Sequence, residues 1–598
     1  MPKKAAELSI ELSESGTVTL CVHGNPDAWA QARLLVLERA TTVKLAGGNC
    51  LEMPWWEFAP ILPRLRSLTQ RFPEIKVVVD ERTETLIRRA NDAGHQLENI
   101  ETAREVSEAE VVKVLKSVGF ARATTLTANQ IHNVRRLIAL PNGATFSVPG
   151  AGKTTEALAT YAFKTRLRAS LFVVAPKNAF AAWDEQVAAC LPEYTVTRLV
   201  GREKISSILA KKPRVAIISY TQLMYVTEAV QRHLANPENA SVLILDESHK
   251  IKGGEHMPWG KSALSISHLA LWKLIMSGTP MPNGPEDLIA QIRFLYPDLG
   301  TVDDPVSTIQ RFFVRTTKAD LNLPPVISKG IPIPMTDPQA RLYNLCATEV
   351  ARDAETALAS GDKNMLRNVG RSYMLLLQLV SNPSLLASYE GRFDDRELAA
   401  CLQSDSPKIA YVCHRARQLA AEGNKVLIWS GFVQNVEVMA QRLADLGADF
   451  IHGGVEAGSE EEEETRENKV ARFHEDKNAM VLVANPAACS EGISLHTVCH
   501  HAIYLDRNYN AAQFLQSADR IHRLGLPKHQ KTFIEFVYSP GTIDESVTRR
   551  LNVKISRMEE ALRDPSISMP THWFDDLSEL PDGDDLKDLL QTLRTVEV

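Results

Sequence analysis

The sequence predicts an α/β protein with two parallel-sheet lobes, a helical segment between them and a small α+β domain in front. Three observations carry this. Ser147–Thr154 reads Ser-Val-Pro-Gly-Ala-Gly-Lys-Thr, with an apolar run before it (Ala144, Phe146, Val148) and a helix-favouring run after it, so its glycines fall where a strand turns into a helix. Short apolar, β-branched runs separated by helical stretches occur twice, at about 171–245 and 425–485, as in buried parallel strands. Between them, from about Ile331 to Asp405, long helical periodicity takes over.

At 598 residues the chain exceeds one core and divides into about three or four domains. Apolar residues at 44% and charged residues at 23% exclude a largely disordered protein. A net charge of −6 gives no global attraction to nucleic acid, so such binding needs local basic surface. The eight cysteines show no CxxC pair or regular spacing, which indicates neither a zinc site nor a disulfide framework and points to a reducing cytoplasm. The start, Met-Pro-Lys-Lys and a mixed polar stretch, lacks the apolar core of a signal peptide, and no run approaches the roughly 18 apolar residues of a membrane span, so no membrane partner is expected.

Residues 1–115 form the expected accessory α+β domain. Ser9–Leu12 and Thr17–Val22 read as a hairpin, Trp55–Arg71 as a helix and Ile75–Val79 as a strand. Trp55, Trp56 and Phe58 are either core or a docking surface.

Residues 116–325 form the expected first lobe. An amphipathic helix at Leu126–Leu140 carries Gln130, whose amide donates and accepts and so suits an adenine edge. In the glycine loop, Pro149, Gly150, Ala151 and Gly152 leave backbone amides free to converge on phosphate oxygens. Lys153 then meets the β- and γ-phosphates of ATP, and Thr154, followed by Thr155, holds Mg²⁺. Farther on, Val242-Leu-Ile-Leu ends in Asp246 and Glu247, adjacent carboxylates at the carboxyl end of a strand, where open α/β sheets bind ligands. Asp246 suits the Mg²⁺ shell and Glu247 the attacking water. The basic stretches Lys164–Arg168 and Lys211–Arg214 are candidate phosphate contacts or solvated faces.

Residues 326–404 are expected to be a helical protrusion and linker, with helices at Gln339–Ala359 and Asn364–Val380. Residues 405–562 form the second lobe, with strands at Lys425–Ser430, Asp449–His452 and Met480–Asn485. On a helix over Gln513–Arg523, the residues Gln516, Asp519, Arg520 and Arg523 share one face. Arginines there suit charge stabilisation at a γ-phosphate. The group His496, Cys499, His500 and His501 reads as packing and hinge surface. Residues 563–598 form an acidic tail with scattered apolar anchors.

Asp246-Glu247-Ser248-His249 after Gly-Ala-Gly-Lys-Thr, followed by Ser277-Gly-Thr-Pro-Met-Pro-Asn283, resembles the first motor lobe of superfamily-two helicases. Lys250-Ile-Lys252, Asn283 and Phe313-Val-Arg315-Thr-Thr-Lys318-Ala-Asp320 narrow the resemblance to Swi/Snf-related DNA translocases. The resemblance implies two RecA-like lobes, ATP and Mg²⁺ as cofactors, and double-stranded DNA as track. It implies coupling roles for His249, Ser277 and Thr279, and DNA contacts at Lys177, Trp183, Tyr220, Lys252 and Asn283. It also implies a close backbone approach at Gly492 in the second lobe. The chain departs from the family at Leu526, where a glutamine is usual, and at Ser147-Val-Pro, which replaces an acidic lead-in. The expected function is an ATP-dependent motor moving on duplex DNA. The alternatives are strand separation of DNA or RNA, and a nucleotide-gated DNA-binding subunit of a defence-type complex. In the last case the N-terminal domain and acidic tail would recruit protein partners.

Overall fold

The computed structural model describes residues 6–567 apart from 14–15, 39, 41, 99–105, 300–301, 361–362, 389–394, 456–463, 490–492 and 528. The acidic tail beyond residue 567 and Gly492 therefore lie outside the described residues, as does most of the Glu460–Glu464 run. The chain divides into two compact units, residues 1–320 and 321–598.

The first unit opens with a five-stranded sheet: β1 (Glu7–Leu12), β2 (Thr17–His23), β3 (Lys44–Gly47), β4 (Cys50–Pro54) and β5 (Lys76–Val79), in the order β3-β4-β2-β1-β5. The expected hairpin is β1–β2, and β5 runs parallel to β1. The helix expected at Trp55–Arg71 is broken into Trp55–Phe58, a single 3₁₀ turn and Leu62–Arg71, because Pro60 and Pro63 supply no backbone N–H. Trp55 and Phe58 belong to the core of this domain, and Trp56 is buried too, so the aromatic group is not a surface patch. One cysteine expectation is corrected: Cys21 and Cys50 face each other across β2 and β4, with Cα atoms 4.1 Å apart, and form a disulfide. The pairing arises from strand register, which spacing along the chain does not reveal.

A seven-stranded sheet follows: β6 (Gly143–Thr145), β7 (Ser170–Val174), β8 (Val196–Arg198), β9 (Val215–Ile218), β10 (Ser241–Asp246), β11 (Trp272–Met276) and β12 (Phe313–Val314). The order is β12-β6-β11-β10-β7-β9-β8 and every ladder is parallel. Strands β7, β9, β10 and β11 are buried almost throughout, which explains their unbroken apolar runs.

The second unit holds a six-stranded, wholly parallel sheet: β13 (Val326–Pro332), β14 (Lys425–Trp429), β15 (Asp449–Ile451), β16 (Val481–Ala484), β17 (Cys499–Tyr504) and β18 (Thr532–Tyr538). Its order is β13-β18-β17-β14-β16-β15. Residues 326–332 thus supply an edge strand of this sheet, not the beginning of a helical linker. Their half-exposed alternation with glycine and proline masks the strand period. The two long helices, Asp337–Ser360 and Lys363–Ser381, fall where periodicity places them. The second is pinned to the lobe at its end: Ser381 Oγ donates to Asp506 Oδ2 at 2.8 Å and Asn382 Nδ2 to Asn435 Oδ1 at 2.9 Å.

Candidate functional site

The site grows from the turn between β6 and the helix Lys153–Thr165. Gly150 and Gly152 hold φ of 86° and 90°, a region that side-chain-bearing residues avoid. At Gly152 a Cβ would come within 2.2 Å of Gln130 Nε2, so the position accepts glycine alone. Gln130 is set there by a capping box with Thr127, and its Nε2 donates to the Ala151 carbonyl at 3.3 Å. Its amide thus lies against the glycine loop. Pro149 lies against Gly278, and Thr155 Oγ1 donates to Gln186 Oε1 at 3.0 Å.

Lys153 is half-buried, and its Nζ donates to the Ser147 carbonyl at 2.9 Å. Burial lowers its pKa, while the carboxylates of Glu247 and Asp246 act in the opposite direction. The acidic pair at the end of β10 is therefore within electrostatic reach of the loop lysine. Asp246 accepts the Trp183 indole N–H at 2.9 Å and the Glu247 amide at 3.0 Å. Burial, then the neighbouring Glu247, pushes the Asp246 carboxyl up to about 6. For Glu247 burial acts upward too, but the hydrogen bond and charge of His249, with Lys153, hold it below the ordinary carboxylate range. Glu247 occupies the left-handed region at φ 51°, a strained setting at the strand end. His249 Nδ1 lies 3.3 Å from Glu247 Oε2 and 3.0 Å from Ser277 Oγ, and Ser277 Oγ accepts the Thr279 amide at 3.1 Å. One chain of contacts thus joins the acidic pair to the Ser-Gly-Thr turn after β11.

Beneath the loop is a buried polar knot that sequence reading missed. Asn133 Nδ2 donates to Glu156 Oε1 and to Thr316 Oγ1, both at 2.9 Å, and Thr145 Oγ1 donates to Glu156 Oε2 at 3.1 Å. The Thr316 amide donates to Ser147 Oγ at 2.9 Å. Ser147, which departs from the family's lead-in, is thus the hydroxyl that ties the loop to residue 316. Burial raises Glu156 to about 7. The available signal was Asn133 and Glu156, polar residues in otherwise apolar helical stripes.

Other expectations need correction. Trp183 and Tyr220 are buried, the first on the Asp246 carboxylate and the second donating its hydroxyl to the Asp246 carbonyl at 2.7 Å, so neither offers a surface to DNA. Both brace the acidic strand end. Lys177 and Asn283 are exposed and Lys252 is half-buried. Lys164 is no surface phosphate contact: it is largely buried and its Nζ donates to the Ile138 and Leu140 carbonyls. In the second unit the helix bearing Gln516 ends at Ala518 with Asp519 as its cap, so Arg520 and Arg523 follow in a turn. Arg520 is buried, donating to the Gln516 and Ile493 carbonyls at 2.9 and 2.7 Å.

Residues 130–305 match the SNF2-related domain and residues 407–525 the helicase conserved C-terminal domain. The two matched segments are thus similar to the paired domains of SNF2-related, helicase-like proteins. Among curated proteins it is 24% identical to Protein CHROMATIN REMODELING 4 of Arabidopsis thaliana over 63% of this chain and 18% of the relative. It is 22% identical to a human SWI/SNF-related matrix-associated actin-dependent regulator of chromatin, subfamily A member 1, over 73% of this chain and 44% of the relative. It is 24% identical to the ATP-dependent DNA helicase DDM1 of Arabidopsis thaliana over 73% of this chain and 61% of the relative. The chain thus spans less than two thirds of each of these relatives. Among solved structures, the Sulfolobus solfataricus SWI2/SNF2 ATPase core in complex with dsDNA aligns over 74% of this chain and 94% of that one, at 21% identity and a TM-score of 0.32. The Pyrococcus furiosus Hef helicase domain aligns over 72% and 99%, at 14% identity and a TM-score of 0.46. No helix among the described residues is long and apolar enough to cross a membrane.

Proposed function

We propose that this chain hydrolyses ATP in its first lobe and uses the cycle to move along double-stranded DNA. The observation that carries the reading is the convergence, at one end of one parallel sheet, of a lysine-bearing glycine loop and a braced carboxylate pair. Loop amides near Gly150 and Gly152 would cradle phosphates, Lys153 would neutralise them, and Gln130 would meet the base. The donor set fits a magnesium ion: the Thr154 hydroxyl and Asp246, the latter already ordered by an indole N–H, are hard oxygen ligands. When bound, the ion supplies positive charge to the phosphate oxygens. Glu247 would orient and deprotonate the attacking water, and Arg520 and Arg523 would stabilise charge on the transferred phosphoryl group.

Lys177, Lys252 and Asn283 remain the proposed DNA contacts. The N-terminal domain and the acidic tail are proposed docking elements for protein partners, and a cytoplasmic setting is proposed for the whole. ATP turnover measured with linear duplex DNA, single-stranded DNA and RNA tests the track. Stimulation strongest with linear duplex is expected, whereas stimulation by single strands alone would favour strand separation.

A further inference from the structure

The helix Glu81–Glu98 of the accessory domain lies over the end of the first lobe's sheet where β11 begins, and lines a half-open cavity of about 330 Å³ there. Its lining includes Trp272, Lys273, His268, Lys164 and Arg89, and Arg89 and His268 also line a larger adjoining hollow with Arg82 and Arg232. Two of these residues, His268 and Trp272, carry buried polar atoms left without partners. Neither ring nitrogen of His268 has a hydrogen-bond partner, although the residue is only 7% exposed. The indole N–H of Trp272 is likewise unmatched at 3% exposure. Lys273 is 7% exposed and its Nζ makes no hydrogen bond or ion pair among the described residues, its recorded contact being the Phe294 ring 6.0 Å away.

Unmatched buried donors are rare in folded proteins because each forfeits its hydration. Two such residues around one cavity, beside the Lys273 ammonium, call for an acceptor-rich occupant. Trp and Lys offer donors only, and a neutral histidine donates through one nitrogen. Asp298 also lines the cavity and acts electrostatically on Lys273 without pairing with it. Burial holds Lys273 and Lys164 down near 7 and His268 near 3, so the empty cavity carries less positive charge than its composition suggests and an anion would recruit it.

We propose that this cavity binds a small phosphate-type oxyanion through Lys273, the Trp272 N–H and His268, with Arg89 at its mouth. The two joined hollows are lined by Arg82, Arg89, Arg232, Lys164 and Lys273 against the carboxylates of Asp80, Glu81, Asp92 and Asp298, and the arginine forks favour a multivalent phosphate over a single carboxylate. The site is separate from the nucleotide loop: Lys164 closes the helix that Lys153 opens, about 16 Å away along its axis.

The test is isothermal titration of pyrophosphate into the full-length chain presaturated with a non-hydrolysable ATP analogue. Saturable binding is expected, weakened by about tenfold or more in Lys273→Met, as for loss of one charge-assisted hydrogen bond. It should be abolished by Ala93→Phe, which fills the cavity from the accessory helix. Binding should survive Lys153→Ala. No binding to the parent chain, equal binding by both cavity variants, or loss of binding in Lys153→Ala would overturn the proposal. Binding of citrate in place of pyrophosphate would overturn the phosphate class. Should circular dichroism show Lys273→Met misfolded, the parent titration and Ala93→Phe decide.

Discussion

Trp183 Nε1 donates to Asp246 Oδ2 at 2.9 Å, so an aromatic ring from the helix Phe180–Cys190 sets the orientation of the first carboxylate of the acidic pair. The bond favours the ionised carboxylate, which burial otherwise opposes. Trp183→Phe keeps the packing and removes the donor. It should raise the Asp246 pKa further, move the acidic limb of the pH–turnover profile to higher pH and lower turnover by about tenfold at limiting Mg²⁺, as for loss of a charge-assisted hydrogen bond. An unchanged pH profile would contradict this positioning role.

His249 links Glu247 to Ser277, and Ser277 holds the Thr279 amide. If that chain transmits nucleotide state, Ser277→Ala should leave basal ATP turnover within about threefold of the parent while cutting duplex stimulation by about tenfold, a loss of about 1.4 kcal/mol of coupling. The ratio of turnover with and without linear duplex is the measurement, and equal proportional losses in both would assign Ser277 to chemistry instead.

Glu156 lies wholly inside the knot beneath the loop, with its carboxyl raised to about 7 against an unfolded value of 4.5. A raised folded pKa gives stability that is full below 4.5 and lost as pH rises through about 7. Glu156→Gln keeps an acceptor for Asn133 and can donate its Nε2 to the Thr145 hydroxyl, which reverses that bond, without ionising. The variant should therefore gain thermal stability over the parent at pH 8, by about 3 kcal/mol, and little at pH 4.5. Thermal unfolding at the two pH values checks it, and a gain that is the same at both would refute the assignment.

Lys408 and Asp544 form an ion pair with side chains 2% and 7% exposed in the second lobe. Lys408→Met alone strands a buried carboxylate and should cost about 3–5 kcal/mol, whereas Lys408→Met with Asp544→Leu should recover much of that loss. Denaturant unfolding of the two variants separates these outcomes. The double variant proving as unstable as the single would show that the pair's worth lies in its other contacts, such as the Ser539 amide on Asp544.

Elements whose signal is local were legible in the sequence. The glycine loop between strand and helix, the apolar runs of β7, β9 and β10, and the two long helices at 337–381 each announce themselves within a few residues. What stayed hidden depends on partners distant in sequence. The Cys21–Cys50 bridge follows from strand register, and Val326–Pro332 is a strand because Thr532–Tyr538 lies beside it. Trp183 reads as a surface contact until the fold delivers Asp246, 63 residues on, to its indole. The knot of Asn133, Glu156 and Thr316 spans 183 residues between two of its members. The Arg520 segment shows the limit of periodicity: spacing places Gln516 and Arg523 on one helical face, yet the helix stops at Ala518.

The central claim is that the Lys153 loop is the seat of ATP turnover driven by DNA. The most direct measurement is steady-state ATP hydrolysis by the parent chain and by Lys153→Ala, each with and without linear duplex, with folding verified by circular dichroism. Duplex-stimulated turnover is expected in the parent, with a loss of at least about a hundredfold in the variant with the fold intact, given the charge that the lysine brings to the phosphates. Comparable turnover by a folded Lys153→Ala chain would contradict it.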